Sequence, residues 1–250
     1  MLIPTTTLFP SENESRVHFG ESETKINLLR AFAGESQARN RYTFAAAQAK
    51  KEGYALIADV FNYTANQEKE HAEIFFNHLK KGAAGENITI DAAYPIDRDT
   101  DVFTLLREAQ HNEFEEFESA YPAFAQTAED EGFAKIAAHF RMIAEIEKTH
   151  GERFGMFASL IENDRLFIAE EETRWVCLNC GHVHRGIEAP MVCPVCDHDR
   201  GYFIREELAP FTRLRKTPRT NGKRRFPRRF LSVKRLFFLF FTKKQESFRG

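Results

Sequence analysis

Two stretches of this sequence place a histidine three residues after a glutamate: Glu68 and His71 in QEKEH, and Glu147 and His150 in EIEKTH. On a helix, residues three apart share a face, so each pair can aim a carboxylate oxygen and an imidazole nitrogen at one point. Glu113 and Glu116 have the same spacing, and Glu35 sits between Phe32, Ala33 and Ala38, a context that buries it. One Glu-x-x-His on a charged helix reads as a solvated face. Four helical stretches each carrying such groups read as a shared metal site. Carboxylates crowd together in a protein interior only when a compensating charge is present, and two dications between bridging oxygens supply it.

A Glu from each of two helices plus Glu-x-x-His from each of two others is the known ligand pattern of di-iron carboxylate bundles. The candidates for these places are Glu35, Glu68, His71, Glu147 and His150, with Glu113 and Glu116 both offered by the third helix. Oxygen-rich ligation with two imidazoles suits iron or manganese; affinity alone leaves zinc open, and redox chemistry needs iron or manganese. Tyr42, seven residues after Glu35, and Tyr121, eight after Glu113, are placed to hydrogen-bond the carboxylates, or else serve as packing aromatics. His78, His111 and His139 have no matching carboxylate and are assigned to the surface or the core edge.

All four cysteines form a second constellation, Cys177-x-x-Cys180 and Cys193-x-x-Cys196, with twelve residues between the pairs. This is the spacing of two knuckles whose backbone amides point at thiolates around one metal ion. Tetrahedral sulfur ligation takes zinc or iron equally well, so spacing leaves the metal open. Clustered cysteines suit a reducing compartment better than a disulfide framework, and the amino terminus has neither a basic start nor an apolar run of signal-peptide length. The expected location is cytoplasmic.

The elements that must position these groups follow from periodicity. A helix with Thr24 as its cap, and Ile26, Leu29, Ala33, Ser36 and Ala38 on one face, is predicted to run to about Lys51, where Gly53 breaks it. A second runs from about Ala55 to Lys80, with Ile57, Val60, Phe61, Thr64, Ile74 and Phe75 inward and Gly82 as its stop. Residues 82–100 form a connection long enough to cross the bundle, with a β-prone piece at Asn87–Ile90. A third helix is predicted over Asp101–Asp130, tolerating Pro122, and a fourth from Gly132 to about Asn163. The expected fold is an all-α, ferritin-like four-helix bundle over residues 21–167, after an extension over residues 1–20. A small metal-stapled module with short β strands follows over 168–209.

FAGESQARNRY (Phe32 to Tyr42), QEKEH, EFEE, the Glu147–His150 motif and the Trp-x-Cys-x-x-Cys-Gly module closely resemble rubrerythrin over about residues 21–209. The resemblance implies a di-iron site, oxo- and carboxylate-bridged, together with a rubredoxin-like Fe(Cys)4 domain held by Cys177, Cys180, Cys193 and Cys196, and so favours iron over zinc there. It implies a non-haem peroxidase that reduces hydrogen peroxide in oxidative stress protection. Electrons would come from NAD(P)H through a reductase or rubredoxin. It further implies a homodimer or higher homo-oligomer, head to tail, with the sulfur site of one subunit near the di-iron site of the other. All seven ligand positions are matched, and the carboxylate matching Glu116 is one that can exchange with the histidine matching His71. Asp197 departs from the pattern, standing where many rubredoxins have glycine.

Hydrophobic residues make up 42% and charged residues 29% of the chain, which excludes wholesale disorder and a fibrous class. The net charge of -2 conceals an imbalance: 14 Lys or Arg against one acidic residue after position 210 leave 21 basic and 36 acidic before it. The basic, Phe-rich stretch 210–250, including KRRFPRRF, reads as a disordered extension or as sequence arising by frameshift or read-through. Its apolar run Leu236–Phe241 is too short to cross a bilayer. The competing reading of that stretch is nucleic-acid or anionic-membrane binding. For the whole chain the alternatives are a ferroxidase or iron-binding protein of the same bundle class, and a zinc-ribbon adaptor with a basic tail.

Overall fold

In a computed structural model of the protein, the structure describes residues 17–98 and 101–209. Most of the extension expected over 1–20, and the whole tail 210–250, lie outside the described residues. Four long helical stretches form the bundle: α1 (Glu23–Lys51), α2 (Ala55–Gly82), α3 (Val102–Glu115) continued through a π-helical turn Glu116–Ala120 into α4 (Tyr121–Asp130), and α5 (Ala134–Glu162). The fold is ferritin-like, as the periodicity predicts. α1 packs along α2, and α3 and α4 along α5.

Local chemistry explains the boundaries. Ser22, not Thr24, caps α1 by accepting from the Lys25 amide at 3.1 Å. Thr24 is buried instead, and Glu131 at the end of α4 accepts from the Glu23 and Thr24 amides at 2.9 Å, satisfying two more donors of the first turn. Gly53, at φ +81, makes the reversal between α1 and α2, a conformation that costs glycine least. Asp101 caps α3 through the Thr104 amide.

The predicted third helix is not one regular element. Pro122 lacks the N–H that would bond one turn back, and the chain accommodates this by widening to a π-helical turn just before it. The buried stripe of α1 is also offset from the predicted one. Leu28, Ala31, Glu35, Ala38, Tyr42 and Ala45 are buried while Ile26, Leu29, Ala33 and Ser36 are half-exposed. Small and polar residues on the inward face muted the periodic signal there. Asn87–Ile90 forms no strand; Ile88 and Ile90 turn half inward, but among the described residues no strand pairs with them. Residues 17–20 are packed rather than free, with the Phe19 ring edge-on to Phe133 at 5.6 Å.

After Phe167 the chain forms a three-stranded antiparallel sheet of order β2-β1-β3, from β1 (Ile168–Cys177), β2 (Val183–Glu188) and β3 (Phe203–Arg205). Trp175 is fully buried and its indole N–H donates to the Gly186 carbonyl at 3.0 Å, so the small core has its one large polar atom satisfied. The module sits on the end of the bundle at the α1–α2 reversal. Ile204 and Leu166 join the same buried cluster as Ala49, Ile57 and Phe61, and Tyr54 stacks on Phe167.

At that contact Gly201 approaches so closely that a Cβ there would lie 1.9 Å from the Gly53 carbonyl oxygen. Backbone cannot yield as a flexible side chain can, so Gly201→Ala is expected to destabilise the protein by about 1–3 kcal/mol, the usual cost of overpacking. Denaturant unfolding of the full chain measures it; an unchanged midpoint would show that the module does not need this contact.

Candidate metal centres

Glu35 on α1, Glu68 and His71 on α2, Glu113 on α3, and Glu147 and His150 on α5 all converge inside the bundle. Each of the six is at most 5% exposed. They fall into two groups, Glu35, Glu68, His71 and Glu147, and Glu68, Glu113, Glu147 and His150, with ligand atoms in each group within 4.8 Å of one another. Glu68 and Glu147 belong to both. His71 Nδ1 lies 2.9 Å from one Glu147 oxygen and 3.1 Å from a Glu68 oxygen, while His150 Nδ1 lies 2.8 Å and 2.9 Å from the other oxygens of the same two residues. The imidazoles stand nearly parallel, 5.6 Å apart.

Proximity here is mostly not hydrogen bonding. Both Glu147 oxygens, one oxygen each of Glu35, Glu68 and Glu113, and both His150 nitrogens are buried without an aligned hydrogen-bond partner, although ion-pair distances are short. Buried polar atoms are rarely left so. Donor atoms aimed at shared points rather than at each other are what two bridged cations require, so the donor set fits a dinuclear metal site.

Glu116, the seventh expected residue, joins neither group. It begins the π-helical turn, is half-buried, and borders a cavity beside the cluster. Tyr42 and Tyr121 reach the carboxylates with partners crossed between helices: the Tyr42 hydroxyl on α1 donates to Glu113 on α3, and the Tyr121 hydroxyl on α4 donates to Glu35 on α1. Each carboxylate so held has one oxygen oriented by a phenol and one left over.

Burial pushes Glu35, Glu113, Glu116 and Glu147 upward, and neighbouring carboxylates push in the same direction. Burial alone would depress His71 and His150, but the carboxylates around them raise both. Groups with raised folded pKa values stabilise the metal-free fold fully at low pH, and that contribution is lost as pH rises through the folded values, about 8 for Glu35. Glu68 runs the other way, held down by His150 and His71 against the effect of burial, and its contribution fades only below pH 4.5. Chelated protein is therefore expected to melt at a lower temperature at pH 8 than at pH 5, with added metal restoring most at pH 8. Thermal unfolding against pH checks this, and a midpoint that rises across that range would contradict it.

One histidine pair escaped the sequence reading. His78 Nε2 on α2 meets His139 Nδ1 on α5 at 2.9 Å. Burial depresses both imidazoles, aided at His78 by His139 and at both by Lys81 and Lys135, so the pair is held neutral, His78 at about 4. Only their lengthwise register across the bundle, invisible in spacing, brings them together.

In the module, Cys177 Sγ and Cys196 Sγ are 3.7 Å apart, as are Cys180 Sγ and Cys193 Sγ, and none is in a disulfide. That separation is the edge of a sulfur tetrahedron of radius about 2.3 Å, so the four thiols fit one tetrahedral ion. The His198 amide lowers the Cys196 thiol to about 6, favouring thiolate. Gly181 and Asp197, each directly after the second cysteine of a pair, are both left-handed, at φ +78 and +58. Asp tolerates that conformation better than most residues, so the departure from glycine leaves the knuckle shape intact.

A family model described as Rubrerythrin matches residues 27–158, and one described as Rubrerythrin, rubredoxin-like domain matches residues 175–204. Rubrerythrin of Clostridium perfringens is 46% identical over 182 residues, spanning 73% of this chain and 93% of its own length. Rubrerythrin of Porphyromonas gingivalis is 48% identical over 182 residues, spanning 73% and 89%. Among solved structures, fully reduced, all-ferrous nigerythrin has a TM-score of 0.51 at 28% identity, covering 82% of this chain and 97% of its own. A bacterioferritin of Desulfovibrio desulfuricans, described with a diiron site, has a TM-score of 0.51 at 22% identity over 57% of this chain and 82% of its own, a likeness of fold alone.

Proposed function

Because this chain belongs to the rubrerythrin family of di-iron oxidoreductases, we propose that it reduces hydrogen peroxide to water with electrons that originate from NAD(P)H and pass from a reductase through the cysteine site. The overall change is one peroxide, two electrons and two protons to two waters. Bound iron would supply the electron pair at the carboxylate cluster and single-electron transfer at the sulfur site. The observation that carries the reading is the sharing of Glu68 and Glu147 between two groups of buried, unpaired donor atoms.

In this reading Glu35, Glu68, His71, Glu113, Glu147 and His150 hold the pair of irons, and Cys177, Cys180, Cys193 and Cys196 hold the third. The phenols of Tyr42 and Tyr121 position Glu113 and Glu35, while the surrounding apolar residues keep bulk water away. Glu116 standing outside the cluster while His71 stands inside it agrees with a state in which the histidine ligates and the carboxylate is free to replace it.

A head-to-tail assembly belongs to the same proposal. The cysteine module rests on the α1–α2 reversal at Gly53, whereas Glu35 lies 18 residues earlier on α1, roughly 27 Å along the axis at the helical rise. That is long for electron transfer within one subunit, and a partner's module at the cluster would shorten it.

The test is anaerobic mixing of reduced full-length protein with hydrogen peroxide, following the visible absorption of the sulfur site and the iron content per chain. Rapid reoxidation by peroxide, and slower reoxidation by oxygen, is expected. No peroxide-dependent reoxidation would overturn the reading, and zinc in a colourless cysteine site would favour the adaptor alternative.

A further inference from the structure

The connection between α2 and α3 crosses the bundle on the side where Glu116 stands. From Asn87 to Arg98 it has no regular secondary structure. Side chains tie it down instead: Arg30 donates to the Asp91 carbonyl at 3.2 Å, Arg41 pairs with half-buried Asp97 at 2.6 Å, and the Arg98 amide donates to Glu108 at 3.0 Å. A segment held only by side chains opens more readily than one in a ladder.

Within the stretch Ala92–Ile96 only Tyr94 turns inward, while Ile96 beside it is 92% exposed. The Tyr94 hydroxyl donates to the Arg30 carbonyl at 2.7 Å, which fixes the ring against α1. A Cβ built on Gly34 would lie 3.6 Å from the Tyr94 ring and 4.0 Å from a Glu116 carboxylate oxygen, so ring and carboxylate flank the same point, one residue before Glu35. The cavity there measures about 450 Å³ and is bordered by Tyr94, Gly34, Glu116 and Tyr121. Its inner side reaches Glu116 and Tyr121, and the Tyr121 hydroxyl donates to Glu35 of the carboxylate cluster.

We propose that Tyr94 is a specificity-determining residue: its ring, carried on the crossing connection, forms the outer wall of the passage to Glu116 and sets the size of hydroperoxide that reaches the cluster. Hydrogen peroxide passes the ring, and an alkyl hydroperoxide with a branched carbon must displace it. The inference rests on the peroxidase reading given above for the substrate, though not for the passage itself. The ring is the part that matters; the hydroxyl only holds it in place.

Four iron-loaded full-length proteins test this: wild type, Tyr94→Ala, Tyr94→Phe and Tyr94→Trp. Tyr94→Ala is expected to raise kcat/KM for tert-butyl hydroperoxide relative to hydrogen peroxide by about tenfold or more, and Tyr94→Phe to keep the wild-type ratio within about twofold, the scale on which pockets sort substrates by a few carbon atoms. A second readout needs no turnover. The association rate of azide with the oxidised protein, followed by visible absorption, should rise in Tyr94→Ala and fall in Tyr94→Trp. General destabilisation would move both variants the same way. If wild type failed to consume peroxide, the peroxidase reading would fall while the azide rates still judged the passage. Azide rates and substrate ratios equal to wild type in both Ala and Trp variants would overturn the role of Tyr94.

Discussion

Glu68→Ala is expected to empty the carboxylate cluster of both irons, leaving only the iron of the sulfur site. Glu68 is 1% exposed, belongs to both donor groups, and contacts both His71 and His150. If the two donor groups each hold one iron as proposed, its removal would take a donor from both at once, whereas loss of Glu35 or Glu113 would weaken one. Peroxide-dependent reoxidation should fall about a thousandfold or more, which corresponds to about 4 kcal/mol of barrier. Helix content should survive at reduced stability, because the change breaks the Glu68 contacts to His71 and His150 but leaves the apolar clusters on either side of the site intact. Glu70→Ala, two residues along on the exposed face of α2, is the control and should change nothing. Iron analysis with anaerobic stopped-flow decides the matter: full iron content and normal reoxidation in Glu68→Ala would end the assignment of the cluster.

The second large effect is expected at the other metal site. Cys177 is fully buried at the end of β1, and it shares its small core with Trp175, Cys193 and Phe203. A core of this size cannot hold a fold alone, and in small metal-stapled domains binding of the ion contributes about 10–16 kcal/mol to folding. Cys177→Ala should therefore abolish the visible absorption, unfold the module, and lower NAD(P)H-driven peroxide turnover about a hundredfold or more, the loss of about 2.7 kcal/mol or greater. Reoxidation of the chemically reduced cluster by peroxide should persist, since the residues proposed to hold it lie wholly in the bundle helices. Turnover from NAD(P)H at the wild-type rate would show that electrons reach the cluster by another route.

Much of this arrangement is legible in the chain itself, for a local reason. Spacings of three between Glu68 and His71 or Glu147 and His150, the two Cys-x-x-Cys pairs, and helix breaks at Gly53 and Gly132 are short-range facts, and helical geometry turns them into faces and ends. Four helices, their limits to within a few residues, and a cysteine module after them follow from such facts. What remained hidden depends on contacts far apart in sequence. Tyr42 bonding to Glu113 and Tyr121 to Glu35, Glu131 capping α1, and His78 meeting His139 are set by how far one helix slides along another. The π-helical turn before Pro122 arose where the backbone had to absorb a missing donor while keeping Tyr121 on the inner face. Asn87–Ile90 has strand-forming residues but, among the described residues, no strand to pair with, so its pattern is not realised. Spacing along the chain is enough to say which residue types can bind metal and which of them share a helical face. That Glu68 and Glu147 stand between the two histidines, that Glu116 stands aside, and that Tyr94 lies against the same cavity as Glu116 comes from packing between segments rather than from periodicity within one.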